Sequence, residues 1–308
     1  MKYNLRIVRL IFAQALRHPF DYIRRLLALP SCYRMPRKLV RQVCAMEPED
    51  SFRTEWEFVR SHGFGSWMPY PYRQIGISAK TVEDGECDGY PYVVHRGRRL
   101  FFPAGMEKWK VVMIYRIFVE QEGITGEGIY EKHPHNYQSA NHFIEEGDVL
   151  LDIGCAEALF TLDNLDRISK AYVFEADPSW RIPLEKTFAG MGKVSVVSKF
   201  VGDRTEGNCV KVTDVVPEDP NATYFVKMDI EGGERVVLES MREFFRTHRV
   251  KLSCCVYHRQ DDAEVIERML REMGFSIEYS DGYMLVLMNG VQYPYFRKGL
   301  IYARNYPR

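Results

Sequence analysis

The stretch from Asp148 to Phe160 narrows the fold more than any other. Val149, Leu150 and Leu151 form an apolar run that stops at Asp152, and Gly154 follows. Such a run suits a strand buried on both faces, as in a parallel sheet with helices on each side. Ala156, Ala158, Leu159, Thr161 and Leu162 then lead into helical spacing. A strand, a tight small-residue turn and a helix start form the nucleotide-binding corner of a doubly wound sheet. With no bulky side chain in the way, backbone N–H groups in that turn are expected to face a ligand. One strand later Ala171 to Glu175 reads Ala-Tyr-Val-Phe-Glu, and Glu175 lies 21 residues after Gly154. That is close to the roughly 20-residue spacing of an acid that grips ribose hydroxyls.

The turn also bears on the cofactor. A dinucleotide site wants three glycines, the second making room for a pyrophosphate. Here only Gly154 is glycine, with Ala156 and Ala158 in the other small positions. A cofactor without phosphates fits better, and S-adenosylmethionine has the right parts. Glu175 suits its ribose, while Asp152 and Glu157 suit its cationic sulfonium end. Asp203, near the end of the third strand region, is expected on the adenine side. The expected cofactor residues are therefore Asp152, Gly154, Ala156, Glu157, Glu175 and Asp203. A Rossmann-like core with no ligand is the plainer alternative.

Further strands are expected at Val194–Phe200, Tyr224–Asp229 and Val250–Tyr257, with helices at Glu234–Phe245 and Ala263–Met273. The second helix carries a capping-box pattern, Asp261 with Glu264 three residues on, and Gly274 closes it. Phe275–Tyr279 and Tyr283–Met288 flank Ser280, Asp281 and Gly282, a hairpin signal. Ahead of the core, the sequence predicts a helix over Ser51–Arg60, a hairpin over Tyr92–Phe102 with Gly97 in its turn, and a helix over Val111–Glu120. A short helix is expected to start at Ser139 or Asn141 and end at Gly147. The fold expected is an α/β, Rossmann-like doubly wound sheet with a terminal antiparallel hairpin, preceded by an α+β cap. The chain divides into a basic amphipathic segment (1–45), a cap or substrate region (46–140), a cofactor-binding domain (141–290) and a tail (291–308).

A second constellation ends the fourth strand: Lys227-Met-Asp229-Ile-Glu231-Gly-Gly-Glu234. Ligands of open α/β sheets bind outside the carboxyl ends of the strands. Asp152, Glu175, Asp229 and His258 all fall at or near such ends. Three carboxylates this close need a cation or hydrogen-bond partners. Glu234 also suits a helix N-terminus, whose dipole favours an acid. His133, His135 and Tyr137, on the glycine-containing loop ahead of the first core strand, are candidates for substrate binding or for a base. An ordinary surface loop is the competing reading.

Three motifs carry a resemblance: Asp-Ile-Gly-Cys-Ala-Glu-Ala (152–158), Phe-Glu-Ala-Asp-Pro (174–178) and Lys-Met-Asp-Ile-Glu-Gly-Gly-Glu (227–234). Over about 130–290 the sequence resembles FkbM-type S-adenosylmethionine-dependent methyltransferases of class I. The resemblance implies O-methylation of a sugar, glycan or secondary-metabolite hydroxyl. Within that reading Asp229 or His258 takes the hydroxyl proton, and Lys227 or a divalent ion steadies the oxyanion. Glu231 completes the catalytic candidates, Glu234 joins the histidines as a substrate candidate, and Asp229 with Glu231 supplies oxygen ligands suited to Mg²⁺. Ala158 stands where the family usually has glycine, which is accommodated if its φ is negative. The rival readings are a nicotinamide-dependent oxidoreductase and a non-catalytic module docking through its N-terminus.

Charge bears on partners. The 308-residue chain has zero formal net charge, yet residues 1–41 hold ten Lys or Arg against one acid, Asp21. That segment suits contact with an anionic surface such as a membrane, or packing on the acidic body of the chain; nucleic acid is disfavoured. The seven cysteines show no CxxC spacing, which argues for a reducing compartment and against disulfide scaffolds and zinc sites. The best apolar stretch, Ile7 to Leu16, is too short to span a bilayer and lacks a cleavage-site pattern. A cytoplasmic protein is expected, peripheral to the inner membrane face if the basic segment docks there.

Overall fold

A computed structural model describes residues 40–62, 79–122, 124, 133–286 and 293–307. Most of the basic N-terminal segment, the aromatic stretch 67–73, residues 125–132 of the glycine loop and positions 287–288 of the expected hairpin lie outside these residues.

Two compact units are distinguished, Met1–Pro69 with Leu287–Asn289, and Tyr70–Val286 with Gly290–Arg308. In the first, a 3-10 turn at Asp50–Phe52 leads into helix α1 (Arg53–His62). Phe52 of the turn and Trp56 and Val59 of the helix are buried, as is Val43. The Trp56 indole N–H donates to the Val43 carbonyl at 2.9 Å, giving the buried ring's polar edge a partner.

The second unit begins with an antiparallel sheet, β1 (Asp84–Cys87), β2 (Tyr90–His95) and β3 (Arg98–Phe101). Arg96 and Gly97 both take positive φ (49° and 76°), the geometry that suits a two-residue turn to strand twist. Helix α2 (Lys108–Gln121) buries Val111, Val112, Tyr115 and Val119. The expected hairpin and helix are present, and β1 adds a strand that the sequence did not signal.

The main sheet has seven strands in the order β11-β14-β10-β9-β4-β5-β6. These are β4 (Val149–Ile153), β5 (Lys170–Phe174), β6 (Val194–Val197), β9 (Thr223–Met228), β10 (Arg249–Cys255), β11 (Ser276–Tyr279) and β14 (Leu300–Arg304). Strands β6, β5, β4, β9 and β10 run parallel, and β14 pairs antiparallel with both β10 and β11. Short pairs β7 (Phe200–Val201) with β8 (Cys209–Val210), and β12 (Met284–Leu285) with β13 (Phe296–Arg297), lie apart from this sheet. The doubly wound core with an antiparallel end is thus the observed architecture. Its antiparallel partner differs from the expected one: β11 pairs with 300–304, while Met284 and Leu285 pair with 296–297. The tail's Leu300, Ile301 and Tyr302 are all buried, as a central position in the sheet requires.

Register gives the sheet two contrasting faces. Leu151, Tyr172, Val226, Leu252 and Ala303 align across five strands and belong to one apolar core. After α3 (Leu159–Asp163) and α4 (Arg181–Thr187), helices α5 (Glu234–Ser240), α6 (Arg242–Thr247) and α7 (Asp262–Glu272) contribute Val237, Leu238, Phe244, Phe245, Ile266 and Leu270 to it. The opposite face carries Asp152, Lys227, Ser253 and Tyr302 in register, all buried. The segment 133–148 supplies partners to this second face. Ser253 Oγ donates to the Tyr137 carbonyl at 2.7 Å and lies 3.1 Å from His142 Nε2. Lys251 Nζ meets Asp148 at 2.6 Å and Glu145 at 2.8 Å.

Three local expectations are revised. The 234–245 helix breaks at Met241 (φ −96°, ψ 2°), and Phe244 and Phe245 beyond the break both enter the apolar core. Asp261 precedes α7 without capping it, because its carboxylate pairs with Arg235. The stretch 139–147 is a turn and not a helix. Side chains take its amides instead, Gln138 Oε1 from Ile144 at 2.9 Å and Asp148 Oδ2 from Glu145 at 2.8 Å.

Candidate active site

The turn after β4 is shaped by the neighbouring strand. Gly154 has φ +77°, and a Cβ there would lie 1.9 Å from the Asp229 carbonyl oxygen. Its glycine is therefore required by the close approach of the β9 end. The turn's amides are also committed within the protein. Gly154 and Cys155 donate to the Phe174 carbonyl, both at 3.0 Å. Ala156 donates to Glu175 Oε2 at 2.9 Å, and Asp177 donates to Glu175 Oε1 at 2.7 Å. The amides of Glu157 and Leu159 stabilise the Glu157 carboxylate. The expectation of amides open to a ligand is corrected: carboxylates already occupy the place an anion would take.

Those carboxylates test the fit of S-adenosylmethionine. Each Glu175 oxygen accepts one amide and keeps acceptor capacity for a hydroxyl donor. Glu157 is 2 % exposed and its Oε2 has no hydrogen-bond partner. Burial pushes its pKa up to about 8. A hydroxyl donor at Glu175 and a cationic group near Glu157 suit this corner, whereas a pyrophosphate finds its N–H groups taken. The residues present fit an adenosine carrying a positively charged amino-acid tail.

Ala158 takes φ +61° and is fully buried. The condition for accommodating alanine there, a negative φ, is not met. Ala156 is left-handed too, at φ 46°. Left-handed backbone costs an L-residue roughly 1–2 kcal/mol, so the turn carries strain at two alanines.

Asp152 lies entirely inside. Its Oδ2 accepts from Thr161 Oγ1 at 2.7 Å, and its Oδ1 lies 3.1 Å from Lys227 Nζ. Lys227 also donates to the Gly154 carbonyl, and its ammonium sits over the Tyr137 ring. Burial opposes the Lys227 charge, but Asp152, Asp229 and Glu122 outweigh it and hold its pKa above the usual range. Lys227 thus neutralises Asp152 and tethers the cofactor turn.

Past β9 the groups converge on Asp229. Its Oδ2 accepts from Tyr137 Oη at 2.7 Å, and Tyr257 Oη approaches Oδ1 at 3.5 Å. His258 Nε2 lies 3.3 Å from Oδ1, and His135 Nε2 lies 3.7 Å from Oδ2. Burial would raise the Asp229 pKa, yet His135, Lys227 and His258 bring it below the ordinary value. His258 Nδ1 is 2.9 Å from Glu234 Oε1, and Glu234 Oε1 also accepts the Ile230 amide at 3.0 Å. Burial disfavours charge on His258, but Glu234 and Asp229 raise its pKa above the ordinary value. Glu234 therefore orients His258 from its position at the start of α5.

The other candidates separate. Glu231 is turned outward, with its side chain 85 % exposed and its Oε2 3.7 Å from His258 Nε2. Asp203 is exposed beside Arg204, in the turn after β7. His133 is partly buried, accepts the His135 amide at 3.2 Å, and has its pKa lowered to about 3 by burial. The Mg²⁺ reading on Asp229 and Glu231 finds no support in a three-ligand grouping. The metal-capable groupings among the described residues are His135, Asp229 and Cys255, and Asp229, Glu234 and His258, which mix nitrogen or sulfur with oxygen, unlike an all-oxygen Mg²⁺ shell.

Three participants were missed. Cys255 reads as a small core hydrophobe, and Tyr257 is overshadowed by its neighbour His258. Glu122 follows α2, far along the chain from the motifs. Burial and the nearby Glu157 hold its carboxyl well above the usual range. No spacing in the sequence signals that proximity.

The family model of the methyltransferase FkbM domain matches residues 125–277. No curated protein matches the chain. Among solved structures the chain is similar to methyltransferase FkbM from Methylobacillus flagellatus, at 18 % identity and TM-score 0.43, covering 64 % of this chain and 55 % of that one. It is similar to SMU.1697c from Streptococcus mutans in complex with SAH, at 11 % identity and TM-score 0.36, covering 52 % of this chain and 90 % of that one. It is also similar to a methyltransferase from Pyrococcus furiosus, at 17 % identity and TM-score 0.35, covering 52 % and 77 %. The chain thus spans 55 % of the length of the Methylobacillus flagellatus protein.

Proposed function

We propose, for a chain that carries an S-adenosylmethionine-dependent methyltransferase domain of the FkbM family, that the methyl acceptor is a hydroxyl oxygen of a sugar, glycan or related small molecule. The observation that carries this reading is the Asp229 carboxylate. It stands at the end of β9 with its side chain 19 % exposed, and Tyr137, Tyr257 and His258 fix both of its oxygens.

S-adenosylmethionine supplies, when bound, an electrophilic methyl on a positively charged sulfur. Glu175 would hold its ribose and Glu157 would face its cationic end, while Asp152, expected there, is taken up by Lys227 and Thr161. Asp229 is placed to accept the acceptor's hydroxyl proton. An attacking oxygen becomes strongly acidic as its bond to carbon forms, so a carboxylate suffices as the base. Glu234 holds His258 against Asp229 and so keeps the carboxylate aimed. Most of the rate comes from alignment, where well-oriented reactants gain roughly 7–11 kcal/mol.

Incubation with methyl-labelled donor and a cell extract, followed by identification of the labelled product, tests the reading. Label on hydroxyl oxygen supports it; label on nitrogen, carbon or sulfur alone overturns it. Cofactor choice is tested separately by thermal shift. A ligand at about 100 times its Kd stabilises by roughly 2.7 kcal/mol, or about 2–4 °C for a chain this size. S-adenosylhomocysteine should give that shift and NAD should not.

Among the described residues no helix is long and apolar enough to cross a membrane. The basic residues 1–41 support a peripheral role for that segment at an anionic lipid surface. Deleting residues 1–30 should abolish binding to anionic vesicles, and unchanged binding would dispose of it.

A further inference from the structure

Below Asp229, three donors of different chemistry come together. His135 Nε2 lies 3.7 Å from Asp229 Oδ2 and 3.8 Å from Cys255 Sγ. The donor atoms of all three lie within 4.8 Å of one another. His135 and Cys255 are 120 residues apart in the chain, so no local spacing could show the grouping. A separation of 3.7 Å is too long for an N–H···O hydrogen bond. It is close to what a tetrahedral centre needs. With metal–nitrogen and metal–oxygen bonds of about 2.0–2.2 Å and a metal–sulfur bond of about 2.3 Å, neighbouring donors sit roughly 3.4–3.6 Å apart.

The surroundings hold this arrangement in place. Ser280 Oγ donates to the Pro134 carbonyl at 2.7 Å, and a Cβ on Gly299 would lie 1.9 Å from that oxygen. The backbone before His135 is therefore seated directly on the chain. The imidazole packs edge-on against Tyr137 and Tyr257, with ring centroids 5.2 and 5.5 Å away. Tyr137 Oη orients the Asp229 carboxylate, the kind of outer hydrogen bond that tunes metal ligands. Cys255 is the last residue of β10 and is fully buried.

We propose that the chain binds one Zn²⁺ through His135 Nε2, Asp229 Oδ2 and Cys255 Sγ, with a fourth position open to an acceptor hydroxyl. One imidazole, one thiolate and one carboxylate form a donor set for zinc and not for Mg²⁺ or Ca²⁺. Three protein ligands with one open position are the pattern of catalytic zinc. The neighbouring basic groups, Lys227 and His258, are partnered by Asp152 and Glu234. Binding releases the Cys255 thiol proton to solvent, because a coordinating thiol is deprotonated outright. The role of the fourth position rests on the hydroxyl-acceptor reading above; the binding of zinc does not.

The test is metal binding by the full chain after chelator treatment and dialysis. Titration with Zn²⁺ should give one equivalent per chain, and Co²⁺ should give the absorption of a tetrahedral thiolate complex. Cys255→Ala should remove the cobalt–thiolate absorption, and His135→Ala should weaken zinc binding at least 10-fold. Both variants should keep the thermal shift with S-adenosylhomocysteine, which shows that they fold. No stoichiometric zinc binding by the unaltered chain would overturn the proposal, as would binding unchanged in both variants. Labelled hydroxyl product without zinc binding would sink the zinc site alone. Zinc binding with label only on other atoms would sink the acceptor reading alone.

Discussion

The two faces of the main sheet are built from the same strands, but only one of them sets charged groups among its apolar residues. Toward α5, α6 and α7 the strands present Leu151, Tyr172, Val226, Leu252 and Ala303. Toward the segment 133–148 they present Asp152, Lys227, Ser253 and Tyr302, equally shielded from water. The apolar face needs only volume and shape, since its attraction is non-directional. The polar face needs every partner in place, because a charge left alone there costs far more than a lost contact. Stability can be supplied by either kind of face. Aimed carboxylates and imidazoles come only from the second, and the candidate site lies at its carboxyl end.

The sharpest way to break this contrast is Lys227→Met. It strands Asp152 inside the protein and should cost about 3–5 kcal/mol in chemical denaturation. Adding Asp152→Leu should recover most of that loss, since an apolar pair of similar volume often replaces a buried ion pair. If the double variant is no more stable than the single one, the polar face is not held by this pair. Asp229→Asn acts at the rim of the same face. Methyl transfer should fall by about 10²–10⁴-fold, the usual worth of a general base, while the S-adenosylhomocysteine thermal shift stays. A loss of that shift would place Asp229 in cofactor binding.

Glu157→Gln sharpens the comparison by pH. The folded pKa of Glu157 is raised to about 8 from an ordinary value of 4.5. The folded state therefore holds its proton more tightly, and stability declines as pH rises from about 4.5 to 8. The variant should melt at nearly the wild-type temperature at pH 4 and several degrees above it at pH 9. An equal difference at both pH values would show that titration of Glu157 is not the cause. The smallest effect is expected from Ala158→Gly. Relief of left-handed strain should stabilise by up to about 1 kcal/mol, read as a small rise in denaturation midpoint. A destabilised variant would mean that the lost methyl's packing matters more than the strain.

The contrast between faces also explains what could be read from the sequence. Apolar runs locate five parallel strands and place Asp152, Glu175, Asp229 and His258 near their ends, because burial leaves a periodic trace. Pairing between distant segments leaves none. The 276–279 strand looks like half of a local hairpin, yet its partner is 300–304, a pairing that no turn chemistry marks. The roles of Lys227 and Glu234 depend on which carboxylate or imidazole each meets, and Asp152 and His258 reach them only through the fold. Ala158 needed backbone geometry, since the residue name alone suggests the opposite sign of φ. Cys255 looks like any small core residue until His135 stands beside it.

The placement of β14 has a consequence for assembly during synthesis. β11 leaves the ribosome before β14 does, but β14 lies between it and β10. Until residues 300–304 arrive, β10 presents a bare backbone edge and β11 has nowhere to anneal. A nascent chain at that stage has a completed cofactor corner next to an adhesive flank, the kind of exposed edge that chaperones shield and that invites mispairing.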